Sequence, residues 1–159
     1  MSSVELNKKV KNFKCPATGE QTLSLSSFKG QNLVLYFYPR DNTPGCTLEG
    51  QDFRDSMAKF KRQNTIVLGV SRDTVRSHEN FKSKQKFNFD LLSDEDETLC
   101  SLFDVIQMKN MYGKKVLGIE RSTFLIDTTG KLRQQWRKVK VKGHVDEVLA
   151  AVKVLNKAK

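Results

Sequence analysis

The sequence predicts an α/β fold, a central mixed β-sheet flanked by helices. Three observations point to it. Short apolar runs of strand length, at 32–38 and 66–71, alternate with stretches whose apolar residues recur at helical spacing. Those runs are continuous rather than alternating, as in sheets covered on both faces. A strand–turn–strand signal and a terminal amphipathic stretch then close the chain. No internal repeat or linker interrupts the 159 residues, a length suited to one domain, so residues 1–159 read as a single domain.

The first thirty residues are polar and turn-rich (Pro16, Gly19, Gly30), with a short alternation at Leu23-Ser24-Leu25. Asn32-LVLYFY-Pro39 reads as a buried strand stopped by proline. A helix should follow directly. Thr43 is a good N-cap residue and Pro44 fits the first helical position. Phe53, Met57 and Phe60 then form a buried stripe, and Lys59, Lys61 and Arg62 suit the C-terminal end.

Residues 66–71 form a second strand, and Asp73-Thr74 cap a polar helix running to about Phe87. Leu91-Leu92 is a short apolar step. Ser93-Asp94 with Glu97 opens a helix over 97–106, with Leu99, Leu102, Phe103 and Ile106 on one side. Residues 122–127 and 132–137 flank Thr128-Thr129-Gly130 as a hairpin. The last helix carries Val145, Val148, Leu149, Val152 and Leu155, with Asp146 and Glu147 in its first turn.

Composition narrows the function. The chain has 28 Lys+Arg against 18 Asp+Glu, a formal net charge of +10, and an apolar content of 38%. Disordered and fibrous classes are therefore excluded. The longest apolar run, six residues from Leu33, is far too short to span a membrane. No apolar signal segment opens the chain, which points to a cytoplasmic protein. Residues 131–159 hold nine basic residues and two acids. Such a bias raises a basic nucleic-acid-binding module as one reading. Trp136 is the only aromatic there, and no zinc-finger spacing exists, so a solvated face accounts for the charge better. His78 and His144 are far apart and no C-x-x-C occurs, so neither a metal nor any other cofactor is expected.

Three cysteines, at 15, 46 and 100, cannot all pair within one chain. Cys46 would be the third residue of the helix that begins at Pro44. There the unpaired N–H groups and the positive dipole end favour an anion, and the thiolate is the reactive form of cysteine. The polar, turn-forming flanks Asn42-Thr43-Pro44-Gly45 and Thr47 are unlike those of a core cysteine.

The segment YPRDNTPGCTLEG (38–50) resembles the active-site segment of the peroxiredoxins, closest to the peroxiredoxin Q, or bacterioferritin comigratory protein, group. The Pro-x-x-x-Thr-x-x-Cys pattern of that family falls on Pro39, Thr43 and Cys46. Similarity continues through VSRDTVRSHENFKSKQKFNFDLLSD (70–94) and GIERSTFLIDTTGKL (118–132), where the family's active-site arginine matches Arg121. The resemblance implies a thioredoxin-like fold. It also implies a thiol-dependent peroxidase that reduces hydrogen peroxide and organic hydroperoxides through a Cys46 sulfenic acid. Arg121 would steady the thiolate and the leaving oxygen, and Thr43 would bond near sulfur and peroxide. Pro39 would shield the sulfur from water, and the N–H groups of residues 45 and 46 would hold peroxide oxygens.

One departure from the group concerns recycling. Many members carry a resolving cysteine five residues after the peroxidatic one, where this chain has Gln51. Cys100 and, less favoured, Cys15 are candidate resolving residues, with a buried packing residue the better reading of Cys100. The remaining route is an external thiol such as thioredoxin, glutaredoxin or glutathione. The resemblance favours a monomer over a homodimer. A redox sensor or relay that passes oxidation from Cys46 to a partner protein would use the same residues.

Overall fold

The computed structural model describes residues 4–158. In chain order its elements are β1 (Lys14–Ala17), β2 (Gln21–Ser24), β3 (Asn32–Phe37), α1 (Pro44–Arg62), β4 (Thr65–Ser71), α2 (Val75–Gln85), β5 (Leu91–Ser93), α3 (Thr98–Leu102), β6 (Ile106–Met111), β7 (Lys114–Ile119), β8 (Ser122–Ile126), β9 (Leu132–Trp136) and α4 (His144–Lys157). Seven strands form one mixed sheet in the order β2-β1-β5-β4-β3-β8-β9. The α1 and α2 crossovers keep β3, β4 and β5 parallel, whereas β8 runs antiparallel to β3.

Every residue of β3 is buried, because both of its faces are covered. Leu33, Leu35 and Phe37 point into one cluster with Cys15, Cys100, Phe103 and Phe124. Val34, Tyr36 and Tyr38 point into the other, against Phe53, Met57 and Phe60 of α1, Phe81 of α2 and the α4 stripe. The continuous apolar run that predicted a two-faced strand therefore serves two cores, split by the period-two alternation of its side chains.

Three expectations need correction. The helix over 97–106 is only Thr98–Leu102. Asp104 adopts φ +54, a left-handed conformation that ends it, and Ile106 opens a strand instead. Its start is held by Asp94, whose carboxylate accepts the Leu99 and Cys100 N–H groups at 2.9 and 2.7 Å. The helix expected to reach Phe87 stops at Gln85, where Lys86 at φ +56 caps it. The N-terminal region, expected to be mostly turns, contains the antiparallel pair β1–β2.

The hairpin β6–β7 went unread in the sequence. It forms its own two-stranded sheet around Tyr112-Gly113, both at positive φ, as tight hairpin turns require. Its strands mix lysines with apolar residues and show no clean alternation, so periodicity carried no signal.

Candidate active site

The site is assembled by register. In the sheet, Phe37 pairs with Ser122, so the C-terminal end of β3 lies beside the start of β8. The chain leaves β3 through residues 38–42 and enters α1 at Pro44, which puts Cys46 in the first helical turn, as its spacing predicted. The residue just before β8 is Arg121. Residues 75 positions apart thus meet: Arg121 Nη2 donates to Cys46 Sγ at 3.3 Å.

Cys46 is only 2% exposed. The first N–H groups of α1, at residues 45 and 46, have no acceptor within the helix. Thr43 occupies the N-cap position without a side-chain cap bond, and its Oγ1 donates instead to the Arg40 carbonyl at 2.9 Å. That leaves the lone pairs of its hydroxyl oxygen able to accept a further bond. Pro39 is half-buried where β3 gives way to this turn.

Two residues of the site were not singled out in the sequence. Glu49, one helical turn beyond Cys46 and fully buried, accepts from Arg121 Nη1 at 2.6 Å. Helical spacing could have found it, since residues 46 and 49 share a face. Burial raises the Glu49 carboxyl to about 7, against the opposing pull of Arg121. Burial works against the Arg121 charge too, but Glu49 and Cys46 together outweigh it and hold the cation above its ordinary value. The second is Lys109 of β6. Burial and then Arg121 push its ammonium below the usual lysine value, while Cys46 pulls the other way. The hairpin therefore places a second cation within electrostatic reach of the thiol, which no local pattern announced.

Glycine at 45 is a matter of space. A Cβ there would meet Arg121 Nη2 at 3.2 Å. Beneath the site, Tyr36 is fully buried; burial, then Glu49 and Cys46, raise its phenol well above the ordinary value.

The other cysteines lie elsewhere. Cys46 belongs to the cluster under α1, whereas Cys15 and Cys100 belong to the cluster on the opposite face of the sheet. All three are free and buried. Burial, with Asp94 adding to it, raises Cys15 to about 12 and pushes Cys100 well above the ordinary thiol value. Gln51, at the position where many relatives carry the resolving cysteine, bridges α1 to α2 by donating to Gln85 Oε1 at 2.9 Å.

Comparison with known proteins agrees with this geometry. Residues 6–135 match the AhpC/TSA family. The chain is 59% identical to Peroxiredoxin Bcp of Xanthomonas campestris over 135 residues, 85% of this chain and 84% of that one. Among solved structures, the bacterioferritin comigratory protein of X. campestris, described for its alkyl peroxide reduction activity, has a TM-score of 0.87 at 53% identity and covers 91% of this chain and 92% of its own. A variant of PrxQ from Xylella fastidiosa superposes with a TM-score of 0.92 at 46% identity, covering 97% of this chain and 98% of its own. A thiol at a helix mouth facing a half-buried arginine, in a thioredoxin-like sheet, and similarity along nearly the whole chain lead to one assignment: this chain belongs to the AhpC/TSA family as a peroxiredoxin of the Bcp, or peroxiredoxin Q, group, a thiol peroxidase.

Proposed function

We propose that Cys46 is the peroxidatic nucleophile and that its sulfenic acid is recycled by an external thiol. The observation that carries this reading is the 3.3 Å contact from Arg121 to Cys46 Sγ in the first turn of α1. The thiolate attacks one oxygen of the hydroperoxide, and the O–O bond breaks. The other oxygen leaves with a proton as water or alcohol, and Cys46 becomes a sulfenic acid. One external thiol then displaces water to form a mixed disulfide, and a second releases Cys46 while the two reductant thiols are left oxidised as a disulfide.

Arg121 steadies the sulfur anion and the charge growing on the leaving oxygen. Glu49 holds the guanidinium in place by its other nitrogen. Thr43 Oγ1 and the N–H groups of residues 45 and 46 receive the peroxide oxygens, and Pro39 limits water at the sulfur. The external route is supported by Gln51 at the local resolving position and by the burial of Cys15 and Cys100 against the far side of the sheet. Thioredoxin, glutaredoxin and glutathione are the reductants that fit. Three free thiols suit the reducing cytoplasm, the two cores on one sheet suit a single domain, and a monomer is what the peroxiredoxin Q resemblance implies.

The test is hydroperoxide consumption with dithiothreitol as reductant. Cys46→Ser should abolish it, and Arg121→Ala should slow it by roughly 100- to 1000-fold, the scale of losing one preorganised donor. Full activity in Cys46→Ser would overturn the reading.

A further inference from the structure

The turn that delivers Thr43 and Cys46 is anchored from behind by a buried aspartate–histidine pair. Asp41, 6% exposed, faces His78 of α2, which is fully buried. His78 Nδ1 lies 2.8 Å from Asp41 Oδ2, and Nε2 lies 2.8 Å from the Leu92 carbonyl of β5. A carbonyl oxygen only accepts, so Nε2 carries a proton. Asp41 Oδ2 also accepts from Ser77 Oγ at 2.8 Å, and Oδ1 from the Tyr38 hydroxyl at 2.6 Å. Both carboxylate oxygens are thus engaged, and the contact from Oδ2 to His78 Nδ1 is a hydrogen bond buried on both sides. Asp41 N–H donates to Asp73 Oδ2 at 2.9 Å, and Ser71 Oγ donates to the same oxygen. The ligand-type atoms of Asp41, Asp73 and His78 fall within 4.8 Å of one another, as around a cation, yet these hydrogen bonds already engage all of them.

Asp41 thus ties the turn to the ends of β3 and β4 and, through His78, to α2 and β5. The first turn of α1 is held on its other side by the Arg121 contact to Cys46 and by the Thr47 N–H bond to the Thr43 carbonyl. The Thr43 hydroxyl is engaged within the turn, and Pro44 has no N–H. Meanwhile Cys46 has two incompatible needs. Peroxide reduction requires the sulfur held against Arg121, but a sulfur 2% exposed cannot be approached by a thiol larger than a peroxide unless the turn loosens.

We propose that Asp41 and His78 are positioning residues: their buried pair holds the turn before Cys46 in the peroxide-reducing geometry, and its strength sets how readily oxidised Cys46 is released to the external thiol. The proposal rests on Cys46 being the nucleophile. Replacing one partner leaves the other a buried polar group without its match, so the turn shifts; replacing both by amides restores a matched contact.

The two half-reactions are measured separately on the full chain. Rapid-quench alkylation and mass spectrometry read Cys46 oxidation by hydrogen peroxide, and thionitrobenzoate reads reduction of the sulfenic acid. In Asp41→Asn and in His78→Gln, oxidation should slow by about 10- to 100-fold, the scale of misplacing a reacting group by an ångström. Sulfenic acid reduction should hold or quicken, so the ratio of the two rates shifts at least about tenfold toward reduction. The double variant Asp41→Asn/His78→Gln should oxidise faster than either single variant. Ser77→Ala, which removes one bond and no charge, should shift the ratio in the same direction by less, and it serves if the Asp41 and His78 variants fold poorly. A lowered melting temperature with an unchanged ratio, or a double variant no better than the singles, would overturn the pairing role. Cys46→Ser runs in parallel: if it still consumes peroxide, the nucleophile assignment fails, whereas a normal Cys46 with an unmoved ratio sinks the positioning role alone.

Discussion

Cys46, Arg121 and Glu49 form a hydrogen-bonded chain in which each member orients the next. Arg121 uses one guanidinium nitrogen on the sulfur and the other on a fully buried carboxylate. A planar fork can serve two acceptors at fixed angles, which a lysine ammonium could not reproduce. Gly45 is the residue that leaves room for that fork. Gly45→Ala would put a methyl group 3.2 Å from Arg121 Nη2, so the guanidinium must shift. Alanine is a better helix former than glycine, so the variant should melt no lower than the parent. Its peroxide reduction should nonetheless slow by roughly tenfold or more, since a small displacement of a charge stabiliser is felt directly in the barrier. Thermal melting and the rate of Cys46 oxidation, read together, check this.

At the scale of elements, α1 matters most because it carries Cys46, the proposed nucleophile, and packs against the sheet. Gly50 lies on its inner side, where a Cβ would fall 2.3 Å from the Phe87 ring edge. Phe87 is wedged against Phe81 and Phe89, with centroids 4.9 and 5.0 Å away, and cannot retreat freely. Gly50→Ala should therefore cost about 1–3 kcal/mol of stability by overpacking, measured by urea unfolding. The start of α4 supplies a pH dependence. His144 is held down at about 4 by burial, with repulsion from Arg121 adding to it, and its Nε2 lies 2.7 Å from Thr123 Oγ1. The folded protein binds that proton less readily than the unfolded chain. Its contribution is complete above the ordinary histidine value of 6.5 and drains away as pH falls toward about 4. Unfolding midpoints measured between those pH values should fall on acidification, and fall less steeply in His144→Gln.

Across the whole molecule, the sheet separates the thiols. Cys15 Sγ donates to the Ser93 carbonyl at 3.3 Å, and Cys100 sits in a short helix capped by Asp94; both pack in the core opposite Cys46. A bond from Cys46 to either would require its Cα within about 7 Å, which means dismantling part of the sheet or of α1. Intact-mass measurement after one equivalent of hydrogen peroxide should therefore show an added oxygen at Cys46 rather than loss of two hydrogens. Cys15→Ala and Cys100→Ala should retain peroxidase activity with dithiothreitol. An intramolecular disulfide in the oxidised protein would contradict this separation.

Much of this was legible in the order of residues. The apolar runs at β3 and β4, the Thr43-Pro44 helix start and the α4 stripe are local patterns, and local patterns follow from backbone geometry and burial alone. Cys46 at a helix mouth belongs with them, as does the peroxiredoxin segment that made Arg121 its partner before any distance was known. The short α3 and the hairpin β6–β7 were not legible, because a left-handed residue such as Asp104 or Tyr112 ends or turns a chain without leaving a periodic trace. Register and topology decided the rest. Pairing Phe37 with Ser122 brought Arg121 to the thiol, and parallel β3, β4 and β5 gathered Asp41, Asp73 and His78 behind it. Buried polarity explains why: Glu49 and His78 look like ordinary surface residues in a sequence, and only the fold that removes water from them makes their partners obligatory.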